Sequence, residues 1–306
     1  MSSEAAPPPH AEALARLPVA ARSAVVAGAQ TRWWEYGAAD AAIAVVAVHG
    51  YRGDHHGLEP VVAQLSELRF LVPDLPGFGA SGPLPGRHTV EAYADWLIAF
   101  VAAVRTGDAP LAVLGHSFGS IVVAAALDRG LEPDRVVLMN PIAAPAMRGP
   151  RALGTLATLG WYRLGGALPE RAGRRALEAR IMVDGMSALM TVTRDRTLRR
   201  WIREEHRRYF SGFHSRDSVI EGFEASIADS VSAHAAAFRV PTLLIAAAQD
   251  QITSMRDVRA LHGAIPGAEL VVIDGVGHLV HYERPRDAAA AIRAFLLGNT
   301  QDEARA

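Results

Sequence analysis

Leu111-Ala112-Val113-Leu114-Gly115-His116-Ser117-Phe118-Gly119-Ser120-Ile121-Val122-Val123-Ala124-Ala125-Ala126-Leu127 joins an apolar run of strand length to one of helix length through a Gly-x-Ser-x-Gly turn. A serine hydroxyl is a weak nucleophile unless the backbone lifts it clear of a sheet, beside a base and over hydrogen-bond donors. A strand that passes straight into a helix does this when the turn is tight. Glycines at 115 and 119 permit the tightness: without Cβ, strand and helix can approach closely while Ser117 takes a strained backbone conformation. The flanking strand and helix make Ser117 a candidate nucleophile where the bare pentapeptide would not.

On either side of this turn strands and helices alternate. Arg22 to Val26 and Thr31 to Tyr36 flank a turn at Gly28 and read as a hairpin. Ile43 to Val48 is a nearly continuous apolar run, as expected of a strand covered on both faces. Helical spacing over Gly57 to Leu68, a strand over Arg69 to Val72, a long amphipathic helix over His88 to Val104 and a strand over Arg135 to Met139 follow. The alternation then stops. From Ile142 to about Phe238 short helical stretches are broken by Gly-Pro, Gly-Gly and Leu-Pro, and the strand pattern resumes at Val240 to Ala246 and Leu270 to Ile273, closing with a helix over Pro285 to Leu297. The pattern predicts an α/β fold: a mostly parallel eight-stranded sheet flanked by helices, with a helical cap inserted between two of its strands. The expected organisation is a flexible segment over 1–21, a core over 22–141 and 239–297, a cap over 142–238 and a tail over 298–306.

Composition narrows the chemistry. The 306 residues include no cysteine, which excludes disulfides, thiolate zinc sites and cysteine nucleophiles together. All 31 basic residues are arginine, so Schiff-base chemistry through lysine is excluded. A net charge of −1 gives no overall attraction to nucleic acid or membranes. The first residues lack a basic region leading into a long apolar one, and no uninterrupted apolar run reaches about 18 residues. A cytoplasmic protein without stable membrane insertion is expected.

A nucleophilic serine needs a base, an acid to orient the base, and donors for the developing oxyanion. His278 follows the strand Leu270 to Ile273, and Asp250 follows the strand Leu243 to Ala246. Parallel strands bring their carboxyl ends to one edge, so these residues are expected to converge on Ser117. The oxyanion donors are expected to be the backbone amides of Phe118, at the start of a helix, and Tyr51, after His49-Gly50. Asp274 is a rival acid, but four residues from His278 it is too close along the chain to reach the imidazole from the side opposite the serine.

The order Ser117, Asp250, His278, together with Pro73-Asp74-Leu75-Pro76-Gly77-Phe78-Gly79-Ala80-Ser81 and Gly277-His278 followed by Glu283-Arg284-Pro285, resembles the α/β-hydrolase fold family with a cap after the sixth strand. The resemblance covers roughly residues 22–297. It implies a serine hydrolase that cleaves a carboxylic ester or lactone through an acyl-enzyme, without cofactor or metal. Haloalkane dehalogenases and many epoxide hydrolases of this superfamily use an aspartate nucleophile, which Ser117 argues against. Two alternatives stay open: a carbon-carbon bond hydrolase of an anionic diketone, and a non-catalytic ligand-binding member of the fold. A member of the acid-after-strand-six type is excluded, because Asn140 stands there. The expected partner is a small molecule with an apolar or anionic part, not a nucleic acid.

Other patterns carry two readings. Gly77-Phe78-Gly79-Ala80-Ser81-Gly82 satisfies a dinucleotide fingerprint, yet no helix follows to receive a pyrophosphate. His49, His55 and His56 match no standard zinc spacing. Met182, Met186 and Met190, with Trp161 and Tyr162, either line an acyl pocket or form the core of the insertion. The segment 142–238 holds 15 arginines against 10 acids, many of them between Arg194 and Arg208. They form either a solvated face partnered by Glu204 and Glu205 or an anchor for an anionic substrate.

Overall fold

The computed structural model describes residues 8–105, 107, 109–145 and 152–298. The strands are β1 (Val19–Val26), β2 (Ala29–Tyr36), β3 (Ala44–Val48), β4 (Arg69–Pro73), β5 (Leu111–His116), β6 (Arg135–Met139), β7 (Thr242–Ala247) and β8 (Glu269–Ile273). They form one sheet in the order β1-β2-β4-β3-β5-β6-β7-β8. β2 is antiparallel to both its neighbours and every later pair is parallel. The β1–β2 hairpin turns on Ala27 and Gly28, both at positive φ (46° and 79°), as a two-residue turn that matches strand twist requires.

Between β2 and β6 lie α2 (Glu59–Val62), α3 (Val90–Val104) and α4 (Phe118–Asp128), after α1 (Ala11–Leu14) at the start of the chain. Between β6 and β7 come α5 (Ala152–Ala167), α6 (Glu170–Leu177), α7 (Arg180–Met190), α8 (Arg196–Tyr209) and α9 (Arg216–Ala228). α10 (Met255–Ala264), α11 (Val280–Glu283) and α12 (Pro285–Leu297) complete the chain. No helix of the described residues is long and apolar enough to cross a membrane.

The apolar runs of the central strands have a direct explanation in packing. Val46, Val48, Val113, Leu138 and Leu244 face α3 and α4, while Val45, Ala47, Leu114, Val137 and Ile245 face α2 and α12. With both faces buried, the period-two alternation of a half-exposed strand has no polar side to display. The edge strand β8 shows the contrast, since Glu269 and Val272 are exposed.

One expected element differs. The helical spacing over 57–68 yields only a 3₁₀ turn at His55–Gly57 and the four-residue α2. Beyond it the chain continues in i→i+3 bonds, Gln64 to Val61, Leu65 to Val62 and Leu68 to Leu65, which bury the same apolar residues while tightening toward β4. Within the segment 1–21, from Pro8 on, α1 spans Ala11–Leu14 and β1 begins at Val19, Leu14 and Leu17 pack on the core, and the buried His10 lies edge-on to Trp201 at 5.8 Å. Residues 1–7 of that segment, and all of the expected tail except Gly298, lie outside the described residues.

The parallel strands place Gly50, Ser117, Asp250 and His278 beyond the carboxyl ends of β3, β5, β7 and β8, on one edge of the sheet. α4 sits very close to that edge. A Cβ at Gly115 would lie 2.6 Å from the Gly119 carbonyl oxygen, and one at Gly119 would lie 2.3 Å from the Val48 carbonyl oxygen. Alanine in a helix is favoured over glycine by about 1 kcal/mol, but here the obstacle is backbone that cannot swing away. Gly119→Ala is therefore expected to destabilise the protein by roughly 2 kcal/mol or more despite that propensity; an unchanged urea midpoint would contradict the packing account.

Candidate active site

Ser117 lies at φ 52°, ψ −118°, a conformation that costs about 1–3 kcal/mol for a residue with a side chain. Its own backbone holds it there: the Ser117 amide donates to the Met139 carbonyl (3.1 Å), and the Ser120 amide and hydroxyl both donate to the Ser117 carbonyl (2.9 and 2.5 Å). The Ser120 hydroxyl also accepts from the Ile142 amide at 3.1 Å, which links the turn to the chain leaving β6.

The three residues expected to converge do so. His278 Nε2 is 2.7 Å from Ser117 Oγ, and His278 Nδ1 is 2.8 Å from Asp250 Oδ2. The other Asp250 oxygen accepts from the Ile252 and Thr253 amides at 2.7 and 3.1 Å. Burial pushes the Asp250 carboxyl up, but the His278 imidazole, its hydrogen bond and the two amides outweigh burial and hold it below the usual carboxylate range. An ionised Asp250 accepts from Nδ1–H and leaves Nε2 free to take the serine proton. Asp274 is exposed in the turn after β8 and makes no such contact among the described residues.

The loop after β3 positions the Tyr51 amide. His49 Nε2 accepts from the Leu75 amide (2.8 Å), so the ring's proton is on Nδ1, which donates to the Gly50 carbonyl at 2.8 Å. Burial lowers the basicity of this imidazole and keeps it neutral. The Gly53 amide donates to the same carbonyl at 3.0 Å. In a trans peptide the carbonyl and the next amide point in opposite directions, so fixing the Gly50 oxygen turns the Tyr51 N–H the other way. Among the described residues neither the Tyr51 nor the Phe118 amide donates to a protein acceptor, and both residues line the cavity that contains Ser117.

Four residues that spacing did not single out hold this arrangement. Asn140, at φ 46°, donates through Nδ2 to the His278 carbonyl (2.6 Å) and accepts from the Ala247 amide (3.1 Å), joining β6, β7 and the histidine loop. Glu283 accepts from the Gly277 amide (2.9 Å) and from the Val192 and Thr193 amides (2.7 and 2.6 Å), joining that loop to the end of α7. Arg52, buried and at φ 60°, donates to the Phe210 carbonyl (2.8 Å), the Tyr162 hydroxyl (3.0 Å) and the Leu177 carbonyl (3.1 Å). His49 is the fourth. Spacing does not announce these roles, since the partners, main-chain groups and the Tyr162 hydroxyl, are brought together by the fold. The glycines of the 77–82 turn serve the same end: the Gly79 amide donates to the Gly212 carbonyl at 2.6 Å, and a Cβ there would strike the Asp74 carboxylate.

The cavity has a volume of about 590 Å³ and runs under α7, α8 and α9. Met186 and Met190 line it, whereas Met182, Trp161 and Tyr162 do not; Tyr162 instead stacks on Phe223. No arginine is among its described lining residues, although Arg148 and Arg151 lie outside the described part. Arg196, Arg199, Arg200 and Arg203 line a separate groove of about 510 Å³ between α7 and α8. Asp54, His55 and His56 bring possible ligand atoms within 4.8 Å of one another. Their Nδ1 atoms are engaged, however, with Asp74 (2.8 Å) and Asp54 (3.2 Å), and the rings stack between Trp34 and Tyr209.

Three further buried imidazoles line the cavity: His116, His206 and His281. Burial lowers all of them, His116 to about 3, His206 to about 4 and His281 well below the usual value of 6.5. All three are neutral in the folded protein at pH 5, while in the unfolded chain they take up protons below pH 6.5. The unfolded state thus binds more protons in that window, and stability falls as pH drops from about 6.5 toward 4. Each histidine contributes at most about 1.4 kcal/mol per pH unit. Urea unfolding at stepped pH should show this slope, and His206→Gln should flatten it; a wild-type profile level from pH 7 to 4 would sink the assignment.

Residues 45–292 match the model of the alpha/beta hydrolase family. RutD of Klebsiella pneumoniae subsp. pneumoniae, by its name a carbamate hydrolase, is 27% identical over 200 residues, which are 65% of this chain and 69% of that protein. Among solved structures, a bromoperoxidase from Bacillus anthracis superposes with a TM-score of 0.76 at 19% identity, covering 91% of this chain and 100% of that one. An esterase from Thermogutta terrifontis superposes with a TM-score of 0.73 at 22% identity, covering 91% and 98%. The family match runs from β3 to α12 and includes the turn at Ser117, and on that evidence the chain belongs to the alpha/beta hydrolase family.

Proposed function

We propose that this protein is a serine hydrolase that cleaves a carboxylic ester or lactone through an acyl-enzyme. The observation that carries the reading is the unbroken relay from Ser117 Oγ through His278 to Asp250, with Ser117 and His278 in the wall of a cavity of about 590 Å³. His278 takes the serine proton as Oγ attacks the carbonyl carbon, and Asp250 stabilises the imidazolium that forms. The Tyr51 and Phe118 amides hold the oxyanion, the latter at the positive end of α4. His278 then protonates the leaving oxygen, and a water activated by the same imidazole releases the acyl group. The helices between β6 and β7 act as a cap that shapes what enters.

A carbamate substrate is a second reading, favoured by the name of the RutD relative. It uses the same relay with a nitrogen-bearing carbonyl. The anionic diketone reading loses support, because the cap arginines between Arg196 and Arg203 line a different groove. The intact relay disfavours a non-catalytic binding role.

Short p-nitrophenyl esters and a matched carbamate test these readings. Ser117→Ala is expected to lower kcat by at least roughly 10³-fold and to abolish labelling by a fluorophosphonate probe. Asp250→Asn should leave KM nearly unchanged while kcat falls by roughly 10²-fold or more. Equal ester rates for wild type and Ser117→Ala would end the serine hydrolase reading.

A further inference from the structure

α8 presents two faces. Arg196, Arg199, Arg200 and Arg203 line the outer groove, whereas Trp201, Ile202, Glu205 and His206 are buried on the inner side. Glu204 follows the outer pattern and pairs with Arg200 at 3.3 Å, but Glu205, expected to partner these arginines, does not. It is 8% exposed, lines the cavity that contains Ser117, and has no hydrogen-bond or ion-pair partner among the described residues. Its carboxylate oxygens keep accessible surface, which on a residue lining the cavity makes them available to a ligand there.

The surroundings say what it suits. Asp54, Tyr209 and Tyr282 line the same part of the cavity, with the Tyr282 hydroxyl facing Gly57. His206 is 5% exposed and its ring lies 5.7 Å from that of Tyr282. Of the charged or titratable groups near Glu205, the exposed Arg208 lies about one turn further along α8 with its guanidinium 5.8 Å from the centroid of the Tyr209 ring, while His10, His56 and Glu59 come from the first part of the chain. Burial raises the Glu205 carboxyl and outweighs the opposing charges of Arg208, His10 and His56. Asp54 is engaged by His56 at 3.2 Å and the Tyr209 ring by Arg208, so the acceptor this region presents to the cavity is the Glu205 carboxylate, which suits a protonated amine.

We propose that Glu205 is a specificity-determining residue that accepts a hydrogen bond from a protonated amino group of the substrate, held away from the carbonyl that Ser117 attacks. The substrate class is then an amine-bearing ester. The assignment rests on the hydrolase reading for its turnover assay and on nothing but the cavity for its binding assay. Tyr282 supplies an aromatic wall, and His206 a second polar contact.

The test compares kcat/KM for a methyl ester whose acyl chain ends in dimethylamino with that of its carbon isostere ending in isopropyl. A second pair carries the amine on the alcohol side. Wild type is expected to favour the amine member of at least one pair by tenfold or more, about the strength of one hydrogen bond to a charged group. Glu205→Gln should erase that preference while leaving the isostere within about twofold. A preference that survives Glu205→Gln, equal losses on both members, or no preference in wild type overturns the assignment. If no ester is turned over, the hydrolase reading falls, and calorimetric binding of the same esters to Ser117→Ala and to Ser117→Ala/Glu205→Gln decides Glu205 by itself. Amine binding weakened tenfold or more by the second substitution supports the proposal; equal binding overturns it.

Discussion

The contact between α4 and the end of β3, through two glycines, is the constraint on which the rest of the molecule depends. The Val48 carbonyl occupies the space where a Cβ of residue 119 would be, and the Gly119 carbonyl occupies that of residue 115. This closeness leaves Ser117 no room for an ordinary turn and forces its positive φ. It also sets the amide of Phe118 beside the loop that begins at His49. The strain at one residue is small against the burial around it, where Ile121, Val122 and Val123 of α4 are all fully enclosed.

A second layer of order comes from buried polar groups that bind main chain. Asn140 and Glu283 fix the loop carrying His278, and His49 fixes the Gly50 carbonyl. Arg52 reaches from the same loop into three separate parts of the insertion. Each bond contributes only about 1 kcal/mol net, but removing one partner strands a buried group, which costs more. The polar network therefore couples the position of the helical insertion to the geometry around Ser117. The N-terminal segment joins in through His10, which touches Trp201 and approaches Glu59.

Charge is sorted by side of a single helix. Arg196, Arg199, Arg200 and Arg203 of α8 face a groove that does not contain Ser117, while its inner face carries a carboxyl and an imidazole into the cavity. A count of charges over 142–238 could not separate these faces, because adjacent residues such as Glu204 and Glu205 point about 100° apart around a helix of 3.6 residues per turn. The methionine series divides along the helix instead, with Met186 and Met190 in the cavity wall and Met182, one turn earlier on the same face, outside it.

The sequence by itself determined the order of strands and helices, the turn at Ser117, and the residues that meet there, Asp250 and His278. Those features depend on local periodicity and on the rule that parallel strands end at one edge, both readable along the chain. Tertiary structure alone decided the length of the helix after Gly57, the docking of residues 8–18, and the roles of Asn140, Glu283, His49 and Arg52. It also decided that the α8 arginines lie outside the cavity and Glu205 inside it. These outcomes hang on contacts between segments distant in sequence, where a single hydrogen bond to a carbonyl, rather than a pattern of residue types, fixes what a side chain does.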